Sequence, residues 1–415
     1  DGMGTVQNQS ASLFAKEETL MSDTRLRFAR QFGAHSLDVF GGFRYTGFEF
    51  EANQPSGQNQ SGGNDKTPNI SSGMTFKDAT GEDDSWRTLT WYAQADYNYR
   101  NRYFLEVALG MESNSRFGDD ATSLKMGGVC WGLFPSVQAG WVLTNESWFP
   151  TNVGINYLRL NAGYDISGND DISNYAARTS FAVLKFLNTS VPAVQLNNIG
   201  NEKITYERTG RFNIGLDSRL LDNRLAVSAN FYINHTSNLL TLKNFSSPVA
   251  GVNSYWSNGG SLENRGFEIN VSGKPVVARN FTLELGASLG HYNNEIKSLP
   301  NDSRLSVNGV EGAAQGFTSS IYGTDNIATM VGYSAGVFYG YKTNGIYATS
   351  AEAAEAGLVN ANGKAYQAGD VRFVDVSGPD GTPDGVINEY DKVSLGSTMP
   401  TLFGGLNLMV RYREW

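Results

Sequence analysis

Between Leu89 and Tyr99 apolar and polar residues alternate. Leu89, Trp91, Ala93, Ala95, Tyr97 and Tyr99 take the odd positions; Thr90, Tyr92, Gln94, Asp96 and Asn98 take the even ones. A period of two marks a β-strand with one apolar and one polar face, here longer than the usual ~5–6 residues. After Arg100-Asn101-Arg102 the pattern resumes, with Tyr103, Leu105, Val107, Leu109 and Met111 set against Phe104, Glu106, Ala108, Gly110 and Glu112. Val137, Ala139, Trp141 and Leu143 alternate with Ser136, Gln138 and Gly140 in the same way. So do Leu158, Leu160, Ala162, Tyr164 and Ile166 with Arg159, Asn161, Gly163 and Asp165.

The same reading along the chain predicts eleven strands, at 24–32, 35–50, 86–100, 102–113, 130–143, 155–166, 204–221, 224–240, 261–274, 281–296 and 401–412. Their connections alternate in character. Turns fall at Gly33-Ala34, Asn101, 144–154, Asp222-Asn223 and 273–280. Long segments rich in Gly, Ser, Asn and Asp occupy 51–85, 114–129, 167–203, 241–260 and 297–400. An outer-membrane β-barrel has this plan: long connections at one end, short ones at the other, and strands facing lipid at alternate positions. Lipid offers no hydrogen-bond partner to an open sheet edge, so a spanning sheet closes on itself.

Proline, which would remove a ladder bond, is nearly absent from these strands. Trp86, Trp91, Tyr99, Tyr103, Trp141, Trp148 and Tyr157 lie near strand ends, where amphipathic rings suit the headgroup level. The polar positions Tyr92, Gln94, Asp96, Asn98, Glu106, Gln138, Arg159, Asn161 and Asp165 would then line a lumen. Alternation by itself also fits a large soluble β protein with those aromatics in its core.

Composition narrows the classes. In 415 residues, 18% are charged, 12% are aromatic, 47 are Gly and 11 are Pro. No apolar run approaches the ~18 residues of a membrane helix, and no heptad pattern is sustained. A net charge of −9 without a basic block argues against a nucleic-acid partner. The one cysteine, Cys130, excludes a disulfide framework and a Cys-based zinc site, and His35, His235 and His291 lack metal-site spacing. Neither a nucleophile elbow nor a phosphate loop is present. Asp83-Asp84, Asp119-Asp120 and Asp170-Asp171 fall between predicted strands and read as solvated loop charge, so no enzyme is expected. The opening Asp-Gly-Met-Gly has no basic or apolar leader features, so no signal peptide is visible.

Several segments stand out along the chain: Tyr-Asn-Tyr-Arg-Asn-Arg-Tyr at 97–103 with Ser-Arg-Phe-Gly at 115–118, Phe-Pro-Ser-Val-Gln-Ala-Gly-Trp at 134–141, and Leu-Arg-Leu-Asn-Ala-Gly-Tyr at 158–164 with Gly168-Asn169. Tyr206-Glu207, Asn-Ile-Gly-Leu-Asp at 213–217, Asn-Arg-Leu at 223–225 and Gly-Ser-Leu-Glu-Asn-Arg-Gly-Phe-Glu at 260–268 follow. Next come Val-Gly-Tyr at 331–333, Phe-Tyr-Gly-Tyr at 338–341, Gly345-Ile346 and Gly-Asp-Val-Arg-Phe at 369–373. In these segments and in their order the chain resembles the SusC/RagA-like family of TonB-dependent outer-membrane transporters of Bacteroidetes.

The resemblance implies an all-β, antiparallel transmembrane barrel of which 1–415 is a part, about eleven of the family's 22 strands. Plug, TonB box and strands beyond Tyr412 are not recognisable, so a partial chain is expected. Glu112-Ser113 replaces the family's usual Asp-Gly, so a different turn is expected there. It further implies active import of a large nutrient, an oligosaccharide or a peptide, across the outer membrane. The implied partners are a SusD-like surface lipoprotein, TonB and outer-membrane lipid. A passive porin or structural barrel, or a secreted soluble β adhesin, remains the alternative.

Within the long extracellular segment 297–400, residues 380–391 read Asp-Gly-Thr-Pro-Asp-Gly-Val-Ile-Asn-Glu-Tyr-Asp. An EF-hand-type loop ligates Ca²⁺ from positions 1, 3, 5, 7, 9 and 12, with Gly at 6. Asp380, Thr382, Asp384, Val386 (by its carbonyl), Asn388 and Asp391 occupy those ligand positions, and Ile387 would anchor the loop to apolar surroundings. Asp375 and Ser377 compete for the first two places. Tyr255, Trp256, Phe317 and Tyr322, in long connections, are the candidate substrate contacts, able to stack on sugar rings or grip peptide side chains.

Overall fold

The computed structural model describes residues 9–58, 76–121, 124–150, 152–185, 192–249, 251–300, 304–307, 310–321 and 324–413. One antiparallel sheet carries β1 (Phe14–Phe32), β2 (His35–Gln58), β3 (Phe76–Tyr99), β4 (Tyr103–Asn114), β5 (Val129–Val142) and β6 (Ile155–Asn169). It continues through β7 (Glu207–Leu220), β8 (Leu225–Ser237), β9 (Ser261–Ala278), β10 (Phe281–Ser298) and β11 (Leu402–Tyr412). Each strand pairs with the next in sequence. The short strands Gln9–Ala11 and Leu124–Met126 extend the ladder beside β2 and β5.

All eleven strands expected from alternation are present. The differences are in length. β1 begins at Phe14, and the β2–β3 ladder runs on through Glu51↔Asp83 and Asn53↔Gly81 to Gln58↔Phe76. Much of the expected 51–85 connection is therefore strand. Both its faces are polar there, which hides the period without breaking the backbone ladder. β9 likewise passes the expected turn, slips register between Gly273 and Val276, and ends at Ala278.

The side chains are distributed inside out relative to a soluble sheet. Leu105, Val107 and Leu109 on β4 are 42%, 43% and 47% exposed, while Glu106 between them is less so. Ile214, Phe231, Leu285 and Leu289 continue this exposed apolar face on other strands. On β10 it runs from Phe281 to Leu289, eight residue steps at a rise of ~3.4 Å, or ~27 Å along the strand. Tilted by ~40°, that stretch covers most of the ~25 Å apolar band of an outer-membrane barrel.

Among the described residues, the two buried apolar clusters lie beyond one end of the sheet, where the long connections gather. Phe117, Ile172, Ala176, Ala177, Ile204 and Tyr206 form one buried cluster, joined by Phe134, Leu240 and Trp256. A second, of Ala328, Met330, Val337 and Tyr339, lies in the connection between β10 and β11. That connection folds into a five-stranded sheet (Arg304–Val307, Val310–Ile321, Thr324–Met330, Val337–Tyr341, Lys392–Ser397), two small two-stranded sheets and helix α1 (Ser350–Ala356). Thr349 caps α1 by accepting from the Glu352 amide at 3.2 Å, and Gly357 closes it at φ 67°.

Candidate functional site

The polar face of the sheet is laced by charge. Arg27 Nε donates to Asp38 Oδ1 at 2.9 Å, Arg44 NH2 approaches Asp23 Oδ2 at 2.7 Å, and Arg211 NH2 approaches Asp165 Oδ2 at 2.6 Å. Tyr92 donates its hydroxyl to Asp23 at 2.5 Å, reaching from β3 to β1 across Gly42 of β2. The Arg159 guanidinium lies 5.1 Å from the centre of the Phe104 ring, reaching from β6 to β4 across Gly140 of β5. Asp96, Asn98, Glu106, Gln138, Arg159 and Asn161 line one cavity of about 440 Å³ on this face. These are six of the residues that alternation assigned to the polar wall, now on one surface. Solvated ion pairs contribute only ~0–1 kcal/mol each, so this surface sets charge and hydrogen-bonding capacity more than stability.

At the loop end a denser network joins three connections. Glu112 accepts from Thr90 Oγ1 and from the Tyr206 hydroxyl, both at 3.1 Å. Tyr206 is buried against Phe117, with ring centres 4.2 Å apart. Burial, together with the Glu112 carboxylate, pushes its hydroxyl far above the ordinary phenol range, so it stays a donor. Arg116 lies 4.9 Å from the Trp86 ring, donates to Asn174 Oδ1 at 2.6 Å, and contacts Asp170 at 3.2 Å. Asn174 in turn donates to Asp84 Oδ2 at 2.6 Å. Asp84 and Asp170 are thus bracing groups and not solvated loop charge; Asp84 sits on β3 itself. Their partners are distant in sequence, so residue type alone gave no signal. Where Glu112-Ser113 departs from the family pattern, Asn114 forms the turn: its Oδ1 accepts the Arg116 amide at 2.9 Å.

In 375–391 the hydrogen bonds run locally. Asp391 is completely buried; Oδ1 accepts from the amides of Val376 (2.8 Å) and Ser377 (3.3 Å), and Oδ2 from that of Asn388 (2.8 Å). Asn388 caps the following turn through the Tyr390 amide at 2.9 Å. Asp380 accepts both the amide and the hydroxyl of Thr382, which hold its carboxyl below the usual carboxylate range, and Asp384 accepts from the Val386 amide at 2.9 Å. Asp375 Oδ2 accepts from the Gly385 amide at 2.6 Å, and Ile387 is buried.

Among the described residues no three acidic, His or Cys side chains gather to hold a metal. Side-chain oxygens of Asp380, Asp384, Asn388 and Asp391 accept from backbone amides in this arrangement, and the Thr382 hydroxyl donates to Asp380.

The candidate substrate contacts separate. Trp256 packs against the Phe117–Tyr206 cluster, and its carbonyl accepts from Asn201 at 3.0 Å. Lys243 Nζ stands 6.0 Å from the Tyr255 ring centre. Phe317, half exposed, belongs to the separate five-stranded sheet. Tyr322 lies outside the described residues.

A polar wall backed by an exposed apolar face, with short turns at one end and folded connections at the other, defines a membrane β-barrel wall. The family model for the β-barrel of TonB dependent receptor-like proteins matches residues 4–378, and the chain belongs to that family. It is 29% identical over 259 residues to TonB-dependent receptor P39 of Formosa agariphila, covering 62% of this chain and 22% of that protein. It is 27% identical over 290 residues to TonB-dependent receptor SusC of Bacteroides thetaiotaomicron, covering 66% and 27%. Among solved structures, the RagAB peptide transporter superposes with a TM-score of 0.75 at 17% identity, over 98% of this chain and 41% of that one. The chain therefore spans well under half of the relatives it matches.

Proposed function

We propose that this chain forms part of the wall of a TonB-dependent importer in the outer membrane. It admits a large nutrient, an oligosaccharide or a peptide. The folded connections face outward, where a SusD-like lipoprotein covers them, and TonB supplies the energy from the periplasmic side. One observation carries this reading: exposed aliphatic side chains cover one face of the sheet, and Arg, Asp, Asn and Gln line the other. Lipid requires the first face and a hydrated path the second. The wall holds and orients; its work is binding, not bond-making. SusC similarity supports the lipoprotein partner, and the RagAB fold match supports the same architecture.

Uptake by the complete protein in cells tests this proposal. Import by an active transporter stops when TonB is deleted or the proton gradient is collapsed. Import that continues identifies a passive porin instead. A complete protein that is soluble without detergent identifies the soluble β alternative.

A further inference from the structure

The short-turn end of the apolar face carries a feature that transport does not use. A row of rings crosses it. His35 lies 4.8 Å from Tyr99, Tyr99 6.3 Å from Tyr103, Tyr103 6.4 Å from Trp141 and Trp141 6.3 Å from Trp148. Three guanidinium groups lie over aromatic rings at the same end: Arg30 at 5.1 Å from Phe32, Arg100 at 5.2 Å from Tyr99 and Arg413 at 5.4 Å from Tyr412. By strand alternation Phe32, Tyr99 and Tyr412 share the apolar face with Phe28, Trp91 and Leu408. All three arginines are exposed, and among the described residues none has a carboxylate partner. Glu146, a carboxylate of this end, is occupied by Tyr103, Trp141 and Arg102.

Turn geometry does not account for these cations. Arg100 and Arg413 adopt φ of 53° and 52°, a region where Gly, Asn or Asp is the favoured residue. The opposite end of the same face offers a contrast. There Arg265 pairs with Glu263, and Lys297 lies 2.8 Å from Glu295, so charge is neutralised within the sheet. Among the described residues Arg208 at that end also lacks a carboxylate, but it donates to the Leu133 carbonyl at 3.1 Å. Among the same residues Arg30, Arg100 and Arg413 have no such acceptor, at the depth where aromatic rings mark the lipid headgroups.

We propose that Arg30, Arg100 and Arg413, with their aromatic partners, hold the phosphate headgroups of anionic phospholipid in the leaflet on the short-turn side. A guanidinium donates two parallel hydrogen bonds to phosphate oxygens, and the ring beneath keeps it at headgroup depth. This rests on the barrel reading above.

The test uses the complete receptor in nanodiscs of phosphatidylcholine with about one-tenth phosphatidylglycerol, followed by mass spectrometry of the lipids retained on mild detergent extraction. Three surface cations predict retained phosphatidylglycerol enriched about three- to fivefold over its bulk share. The R30Q/R100N/R413N variant returns to the bulk ratio; R30K/R100K/R413K keeps most of the enrichment; R265Q leaves it unchanged. Bulk-ratio lipid on the wild type, or undiminished enrichment on the triple Gln/Asn variant, overturns the proposal. Failure of the wild-type receptor to enter the discs is a separate outcome, which overturns the barrel reading beneath it and this proposal along with it.

Discussion

Arg159 on β6 lies across Gly140 of β5 to reach the ring of Phe104 on β4, 5.1 Å away. A Cβ at Gly140 would stand 2.8 Å from the guanidinium and 3.3 Å from Asn161 Oδ1. Gly140 is therefore the gap through which a cation of the polar wall is held over an aromatic ring, a contact worth about 0.5–1 kcal/mol where solvent is near. Gly140→Val should displace Arg159 into the lumen with a modest stability loss, of about 1 kcal/mol. The check is substrate uptake alongside thermal unfolding. Altered uptake at nearly unchanged stability is expected; an unchanged protein in both respects would remove Arg159 from the working wall.

Gly118 makes the opposite prediction about cost. A Cβ there would lie 2.1 Å from the carbonyl oxygen of Glu202, backbone that no rotamer change can move. The same carbonyl accepts from the Asp120 amide at 3.0 Å, next to buried Phe117. Gly118→Ala should loosen the junction of the 114–129 and 169–207 connections by about 1–3 kcal/mol. Gly110→Ala, with its nearest neighbour at 3.7 Å, should be tolerated. Limited proteolysis of the folded protein distinguishes them: early cleavage at the loop end in the first variant and a wild-type pattern in the second.

Glu146 braces the short-turn end. It accepts from the Tyr103 hydroxyl at 2.5 Å and from the Trp141 indole at 3.1 Å, bonds that hold its carboxyl below the ordinary value of 4.5, with Arg102 adding its charge. A depressed pKa contributes stability above the ordinary value that is lost as pH falls through the folded one. Tryptophan emission from Trp141 and Trp148 should therefore change on acidification below about pH 4.5. Glu146→Gln should abolish that acid transition. A transition that persists unchanged in the variant assigns it to another group.

Asp391 should matter through its amides. Asp391→Asn turns one acceptor into a donor facing backbone N–H groups in a fully buried site, at a cost of about 1–3 kcal/mol. Melting in millimolar Ca²⁺ and in chelator tests the EF-hand expectation for 380–391: a Ca²⁺-dependent rise that Asp384→Ala removes would support it, and an unchanged melting temperature would contradict it.

In the alkaline range Tyr341 is the group to follow. Burial, then the Glu389 carboxylate at 3.3 Å, pushes it up to about 12. A raised pKa means that its contribution is complete below the ordinary value of 10.0 and fades as pH climbs toward the folded value. Tyr341→Phe should remove one late phenolate from the ultraviolet titration and flatten the alkaline loss of stability in the β10–β11 connection. A difference spectrum that shows the lost phenolate near 10 would contradict this placement.

The barrel strands were legible because lipid on one side and water on the other force a clean period of two, as at Leu105, Val107 and Leu109. Where both faces are polar, as at Asn53 and Asp83, the ladder continued unseen. The connection between β10 and β11 hid its sheets for another reason. Strands such as Val337–Tyr341 are too short to display a period, and their core of Ala328, Met330 and Tyr339 assembles from segments that look like loop. In 380–391 the residue types and spacing are legible, whereas the amides that those oxygens accept depend on the path of the backbone. The bracing roles of Asp84 and Asp170 required partners in other connections.

Cysteine scanning of β10 in the complete protein, reconstituted in vesicles with Cys130 replaced, tests the central claim most directly. Substitutions at Leu283, Leu285, Ala287 and Leu289 should be protected from a water-soluble thiol reagent and quenched by lipid-borne probes. Those at Glu284, Gly286 and Ser288 should react from water. Equal reactivity of the two sets, or protection of the polar set, would contradict a wall with lipid on one face and a hydrated path on the other.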